Sequence, residues 1–153
     1  MKKSSIILIV IAVIAVIWGV SAYNGLVTMD ENVNTEWANV ETQYQRRADL
    51  IPNLVNTVKG YAAHESETLE SVIAARSKAT QITIDPANLT PEKLAEYQEA
   101  QGAVTSALGK LLAISESYPD LKANQNFMEL QAQLEGTENR INEARRKFNN
   151  VAK

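Results

Sequence analysis

The chain has 153 residues, with 15 Lys plus Arg against 18 Asp plus Glu, a net charge of −3, one His and no Cys. That length supports one domain. The missing thiols exclude disulfides and Cys-based zinc sites, and the mildly acidic balance argues against a nucleic-acid partner. The mean hydropathy of −0.21 suggests a soluble protein, but it averages over two very different stretches.

The first stretch carries no charge between Lys3 and Asp30, and Ile6 to Trp18 is apolar without interruption. About 20 apolar residues suffice for a helix to cross a bilayer, so residues 1–29 are read as a membrane anchor. Its lipid-facing residues include Ile6, Ile7, Leu8, Ile14, Ile17 and Trp18. Trp18 and Tyr23 mark the interface at one end. A cleaved signal peptide ending near Val20-Ser21-Ala22 is the competing reading. Against it, apolar residues continue past that point and the next helical pattern starts on them. Lys2 and Lys3 precede the span, and no Lys or Arg follows it before Arg46. The positive-inside rule then places the N-terminus in the cytoplasm and residues 30–153 outside the cytoplasmic membrane.

The second stretch has helical period throughout. Val33, Trp37, Val40, Tyr44 and Ala48 form one apolar face of a first helix. Asp49 as N-cap and Pro52 in a first turn predict a break there, with a second helix over about 50–81. Its stripe is Ile51, Val55, Val58, Ala62, Glu65, Leu69, Val72, Arg76 and Ala79, so two charged residues fall on an apolar line. A loop is expected over 83–89, followed by Thr90 as N-cap and Pro91 in the first turn of a third helix. That helix carries an apolar stripe from Leu94 to Ser115 and a second stripe of small residues, Gly102, Ser106, Gly109 and Ala113. Small residues allow close helix approach, either inside the bundle or between copies. Tyr118-Pro119-Asp120 ends it. The fourth helix has a seam at Phe127, Leu130, Leu134, Thr137, Ile141, Ala144, Phe148 and Val151, spaced by threes and fours as in coiled coils.

No Gly falls in a predicted connection, and no window alternates with period two. The fold class is therefore all-α: an N-terminal transmembrane helix followed by an elongated antiparallel four-helix bundle. A first bundle helix ending at Ala48 is too short for its partners. The bundle is then expected to recruit Tyr23 to Met29, or to end at the lipid surface.

Chemistry is sparse. His64 stands alone, without a Glu-x-x-His or a second His at zincin spacing, so no metal and no cofactor are expected. No phosphate-binding loop or nucleophile motif is present, and no catalytic residue is assigned. Glu65, Glu67 and Glu70 form an acidic patch with His64. Arg140, Arg145, Arg146 and Lys147 form a basic end, and Arg46 and Arg47 fall near the expected end of the first helix. Helix-dipole complementarity accounts for such basic ends; docking on another protomer's acidic patch or on lipid head groups is the alternative.

Several segments resemble the LemA family. They are Tyr23-Asn24-Gly25-Leu26-Val27, then Trp37 with Gln45-Arg46-Arg47-Ala48-Asp49-Leu50-Ile51-Pro52-Asn53-Leu54-Val55, and Lys59-Gly60-Tyr61-Ala62 with His64-Glu65 and Ala75-Arg76. The later matches are Tyr118-Pro119-Asp120-Leu121-Lys122-Ala123-Asn124, Asn126-Phe127, Leu130-Gln131, Leu134 to Ile141 and Ala144-Arg145-Arg146. The resemblance implies a bacterial protein with one N-terminal membrane helix and a helical bundle, no established activity, and a link of some relatives to membrane organisation. Members usually continue past the fourth helix with a short segment. Here the helical pattern runs to Val151-Ala152-Lys153.

Two functions fit these features. The first is a non-catalytic membrane-anchored scaffold that contacts lipid, self-associates through the small stripe and organises the envelope membrane. The alternative is a monomeric sensor or adaptor that binds an envelope protein or peptide between helices, using Glu65 and Arg76.

Overall fold

The computed structural model describes residues 2–85 and 88–152. Pro86 and Ala87, inside the predicted loop, lie outside the described residues. The order is α1 (Lys3–Lys59), a 3₁₀ turn (Ala63–Glu65), α2 (Ser66–Gln81), α3 (Pro91–Ser115), a single-turn α4 (Pro119–Lys122) and α5 (Gln125–Val151). No strand occurs among the described residues. The all-α class with a long apolar N-terminal helix therefore stands.

The apolar N-terminal segment and the first bundle helix are one element. α1 runs for 57 residues, about 85 Å at 1.5 Å per residue. The predicted break at Asp49–Pro52 does not occur, and Pro52 lies inside the helix. A proline there removes the N–H that would bond the carbonyl four residues back. That carbonyl belongs to Ala48, and Arg76 of α2 donates its Nε to it at 2.8 Å. The helix thus passes its proline with the freed acceptor satisfied. Asp49, no longer a cap, accepts on Oδ1 from the Gln45 side-chain amide nitrogen Nε2 at 2.9 Å, one turn back.

The chain reverses instead at Gly60. Its N–H still reaches the Asn56 carbonyl, at 3.3 Å, and Ala62 N–H closes on Val58 at 2.8 Å. The expectation that no glycine serves a connection is therefore corrected. Gly60 has φ −64°, so its contribution is weak helix propensity rather than left-handed geometry. The apolar stripe predicted for 50–81 is nevertheless buried on both sides of the turn. The periodicity was continuous where the helix is not.

This relocation also corrects the length argument. Residues 2–32 are exposed throughout, and burial along α1 begins only at Val33. With α1 extended to Lys59 at its far end, the bundle has no need of Tyr23 to Met29.

α1 and α5 run antiparallel, as contacts at successive levels show. Trp37 meets Phe148, Arg47 meets Glu138, and Thr57 meets Asn126. α3 is parallel to α1, with Tyr97 beside Trp37 and Tyr44 and Gln101 beside Arg47. The predicted cap at Thr90 holds, its Oγ1 accepting from Lys93 N–H, and α5 starts in the same way, with Asn124 Oδ1 accepting from Phe127 N–H. Each cap satisfies a helix-end donor.

The core forms two clusters. The one nearer the anchor contains Trp37, Val40, Tyr44, Ile84, Tyr97, Ile141 and Phe148. The far one is built on Ile51, Leu54, Val58, Val72, Leu111, Leu121 and Phe127. Burying each such side chain contributes about 1.5–3 kcal/mol.

Candidate functional site

Between the two clusters lies a polar layer centred on Arg47, which is only 2% exposed. Its Nη1 donates to Thr105 Oγ1 at 2.7 Å and to Glu138 Oε1 at 2.9 Å. Its Nη2 donates to the Gln101 carbonyl at 2.9 Å and to Gln101 Oε1 at 2.8 Å. The guanidinium also lies 5.0 Å from the Tyr44 ring centroid. One side chain of α1 thereby ties α3 and α5 together. The dipole reading of Arg47 is corrected: it lies well before the C-terminus of α1 at Lys59, and dipole effects fade within the last turn. A buried arginine carries no mark in composition or period, so the sequence offered no signal beyond its place beside the apolar face.

Next to this layer an aromatic group closes the bundle on the anchor side. Trp37 packs on Tyr97 at 5.2 Å and on Phe148 at 5.1 Å, and Tyr44 meets Tyr97 edge-on at 5.6 Å. Such tilted pairs are favourable beyond their buried area. Trp37 Nε1 donates to Glu41. Burial pushes the Tyr97 hydroxyl above its ordinary pKa, and the charge of Glu41 adds to this. Burial also raises Tyr44, against the opposing pull of Arg145 and Arg47.

The two polar residues on the apolar stripe each have an internal partner. Arg76 satisfies Ala48, as above. Glu65 accepts from the Tyr118 hydroxyl at 3.2 Å, and desolvation together with Glu65 raises the Tyr118 pKa. The structure does not bring Glu65 and Arg76 together. Glu65 closes the 3₁₀ turn just before α2 and Arg76 lies within α2 about three turns further on, and both are half-buried.

The predicted anchor residues Ile6, Ile7, Leu8, Ile14, Ile17 and Trp18 are 48%, 58%, 68%, 61%, 63% and 74% exposed. A core helix of a soluble protein would hide such residues. α1 is long and apolar enough to cross a bilayer, and none of its apolar window is buried. Gly102, Ser106, Gly109 and Ala113 are likewise exposed on α3. A Cβ added at Gly102 or Gly109 would meet nothing within 4 Å, so the stripe is not a packing surface inside this chain. Beside it runs a cleft of about 480 Å³ between α3 and α5, lined by Leu108, Gly109, Leu112, Leu134 and Glu138 among others. His64 is exposed in the 3₁₀ turn. Among the described residues, no group of three or more His, Asp or Glu is placed to hold a metal ion.

Fold and surface together define a class: an antiparallel helical bundle carried on a long, fully exposed apolar helix. The LemA family model matches residues 36–153, and the chain belongs to the LemA family. The match begins one residue before Trp37, where α1 enters the bundle. Among relatives, Magnetosome protein MamQ of Magnetospirillum gryphiswaldense is 28% identical over 144 residues, covering 83% of this chain and 53% of the relative. Magnetosome protein MamQ 2 of Paramagnetospirillum magneticum is 26% identical over 166 residues, covering 95% and 61%. Protein LemA of Metamycoplasma hominis is 26% identical over 113 residues, covering 74% and 48%. The chain thus spans less than two thirds of the length of each of these relatives.

Proposed function

We propose that this protein is a non-catalytic, membrane-anchored scaffold of the bacterial envelope, which self-associates and organises the membrane that holds it. The observation that carries this reading is the continuity of α1 from the exposed apolar segment into the bundle. A rod of this kind fixes the bundle above the bilayer and presents its side faces to neighbours. The open stripe Gly102–Ser106–Gly109–Ala113 and the adjoining apolar cleft give such a neighbour a close approach. The two N-terminal lysines favour a cytoplasmic N-terminus and an extracytoplasmic bundle in the inner membrane.

The test is oligomeric state. Light scattering in detergent and photobleaching steps in dilute proteoliposomes should both report species larger than a monomer. Gly102→Leu with Gly109→Leu should shift them toward monomer without loss of helicity, since both positions open onto solvent and glycine is a poor helix former. A wild-type monomer at all protein-to-lipid ratios sinks the scaffold. A single Cys at Asn88 that an impermeant thiol reagent labels only after lysis reverses the orientation.

A further inference from the structure

We infer an anion-binding site in the groove between α1 and α5, built on Arg46 and Arg140. It is independent of the self-association face, which lies on α3. The groove has a volume of about 400 Å³ and is lined by Arg46, Asp49, Leu50, Ala132, Gly136 and Arg140, with Gln133 and Thr137 completing it. The two arginines come from antiparallel helices at one level, next to the level where Arg47 meets Glu138. Both are exposed.

Neither guanidinium forms an ion pair among the described residues; the ion pairs there involve Arg47, Lys122 and Lys147. Helix dipoles do not account for them either. Arg46 lies well inside α1, which ends at Lys59, and Arg140 well inside α5, which ends at Val151, whereas the dipole acts within the last turn. Two like charges facing one groove repel unless a counter-charge sits between them. Asp49 faces the same groove, but the Gln45 side-chain amide holds its carboxylate and no ion pair joins it to either arginine. The lining keeps a net charge of about +1 by counting these three groups.

The uncharged lining sets the ligand's shape. Gly136 and Ala132 contribute little or no side chain to the lining, and a Cβ at Gly136 would meet nothing within 4 Å. Leu50, half-buried at one wall, offers an apolar surface beside the charges. Planar guanidinium forks match oxyanions in two-point contact. The ligand class is therefore an oxyanion, phosphoryl or carboxylate, on a short apolar stem. Bilayer head groups are not its source, because Arg46 stands about 25 Å further along α1 than Met29, beyond the Debye length of about 8 Å. The anion arrives from solvent.

The experiment is calorimetric titration of the full chain, held in nanodiscs of uncharged phosphatidylcholine, with phenyl phosphate and with inorganic phosphate. Saturable binding of phenyl phosphate is expected, weakened about tenfold or more by Arg46→Gln and by Arg140→Gln, as loss of a charge-assisted contact requires. Arg146→Gln, an exposed arginine of α5 outside the groove, should leave it unchanged. Gly136→Leu keeps both charges but puts a bulky side chain on the lining, and should abolish binding without lowering the melting temperature. Absence of saturation up to about 10 mM overturns the site, as does an equal effect of Arg146→Gln, which would signify surface charge alone. Inorganic phosphate should bind more weakly, and equal affinity of the two probes overturns the apolar stem.

Discussion

Arg47 holds its charge between two apolar clusters, and its four hydrogen bonds reach acceptors on two other helices. Removing one partner of a buried pair typically costs 3–5 kcal/mol, because the other charge stays behind unpaired. Here Glu138 is 31% exposed, so water can take over part of its solvation. Arg47→Ala should then destabilise by about 2–4 kcal/mol, the loss including the stranded Gln101 side chain. Replacing both charges together with the polar group they leave behind, Arg47→Met with Glu138→Leu and Gln101→Leu, should return to within about 1 kcal/mol of wild type, since packed apolar side chains replace buried polar ones at little cost. Denaturant midpoints in detergent measure both. An apolar variant as unstable as Arg47→Ala would mean that the layer stabilises beyond these contacts. The layer also occupies one level of the bundle, so sliding α5 by a turn would leave the buried Arg47 without Glu138. Apolar seams alone tolerate such slips more readily.

At the scale of elements, α1 owes its continuity through Pro52 to a neighbour. Pro52→Ala restores the missing donor to Ala48, after which the Arg76 contact becomes redundant for that carbonyl. Arg76→Met should therefore cost about 1–2 kcal/mol in the native background and markedly less beside Pro52→Ala, a coupling of about 1 kcal/mol in a double-mutant cycle. Strict additivity of the two changes would show that Arg76 acts only through packing. The same pair explains what was legible in the sequence. Every seam position of the fourth predicted helix from Phe127 to Phe148 is buried, because periodicity reports which face is covered and α5 has no interruption. The 49–52 boundary misled because the signals of a helix start, an acidic cap and an early proline, were present, while their override comes from a residue in another helix. Gly60 was passed over because the apolar stripe keeps phase across the turn. The dipole reading of Arg46 and Arg47 fails for a related reason: α1 ends at Lys59, later than the local signals suggest.

The whole molecule is a rod with a head, and its dimensions follow from the continuity of α1. Lys59 lies about 45 Å beyond Met29 along the helix axis, and Trp37 about 12 Å. The connection from α2 to α3 packs by Ile84 and Leu89 against the Trp37 cluster, so Asn88 belongs to the near end and Ala63 to the far end. The chain has no Cys, which makes a single label at either position unambiguous; both residues are exposed. Energy transfer to acceptor lipids should place a dye at Ala63 about 30 Å farther from the bilayer than one at Asn88, the difference between the two levels. A tilt of about 20° would shorten this by only a few ångströms. If α1 is stiff at Asp30, both distances should also be narrowly distributed. Inserting Gly-Ser-Gly-Gly after Asp30 breaks the helix where it is unsupported by packing, since burial begins at Val33, and should bring the two dyes to similar, broad distances. Equal heights in the unmodified chain would mean that the bundle lies flat on the surface or hangs on a flexible joint. A head free to move in that way could not hold neighbouring side faces in register, so the scaffold reading depends on the stiffness of this junction.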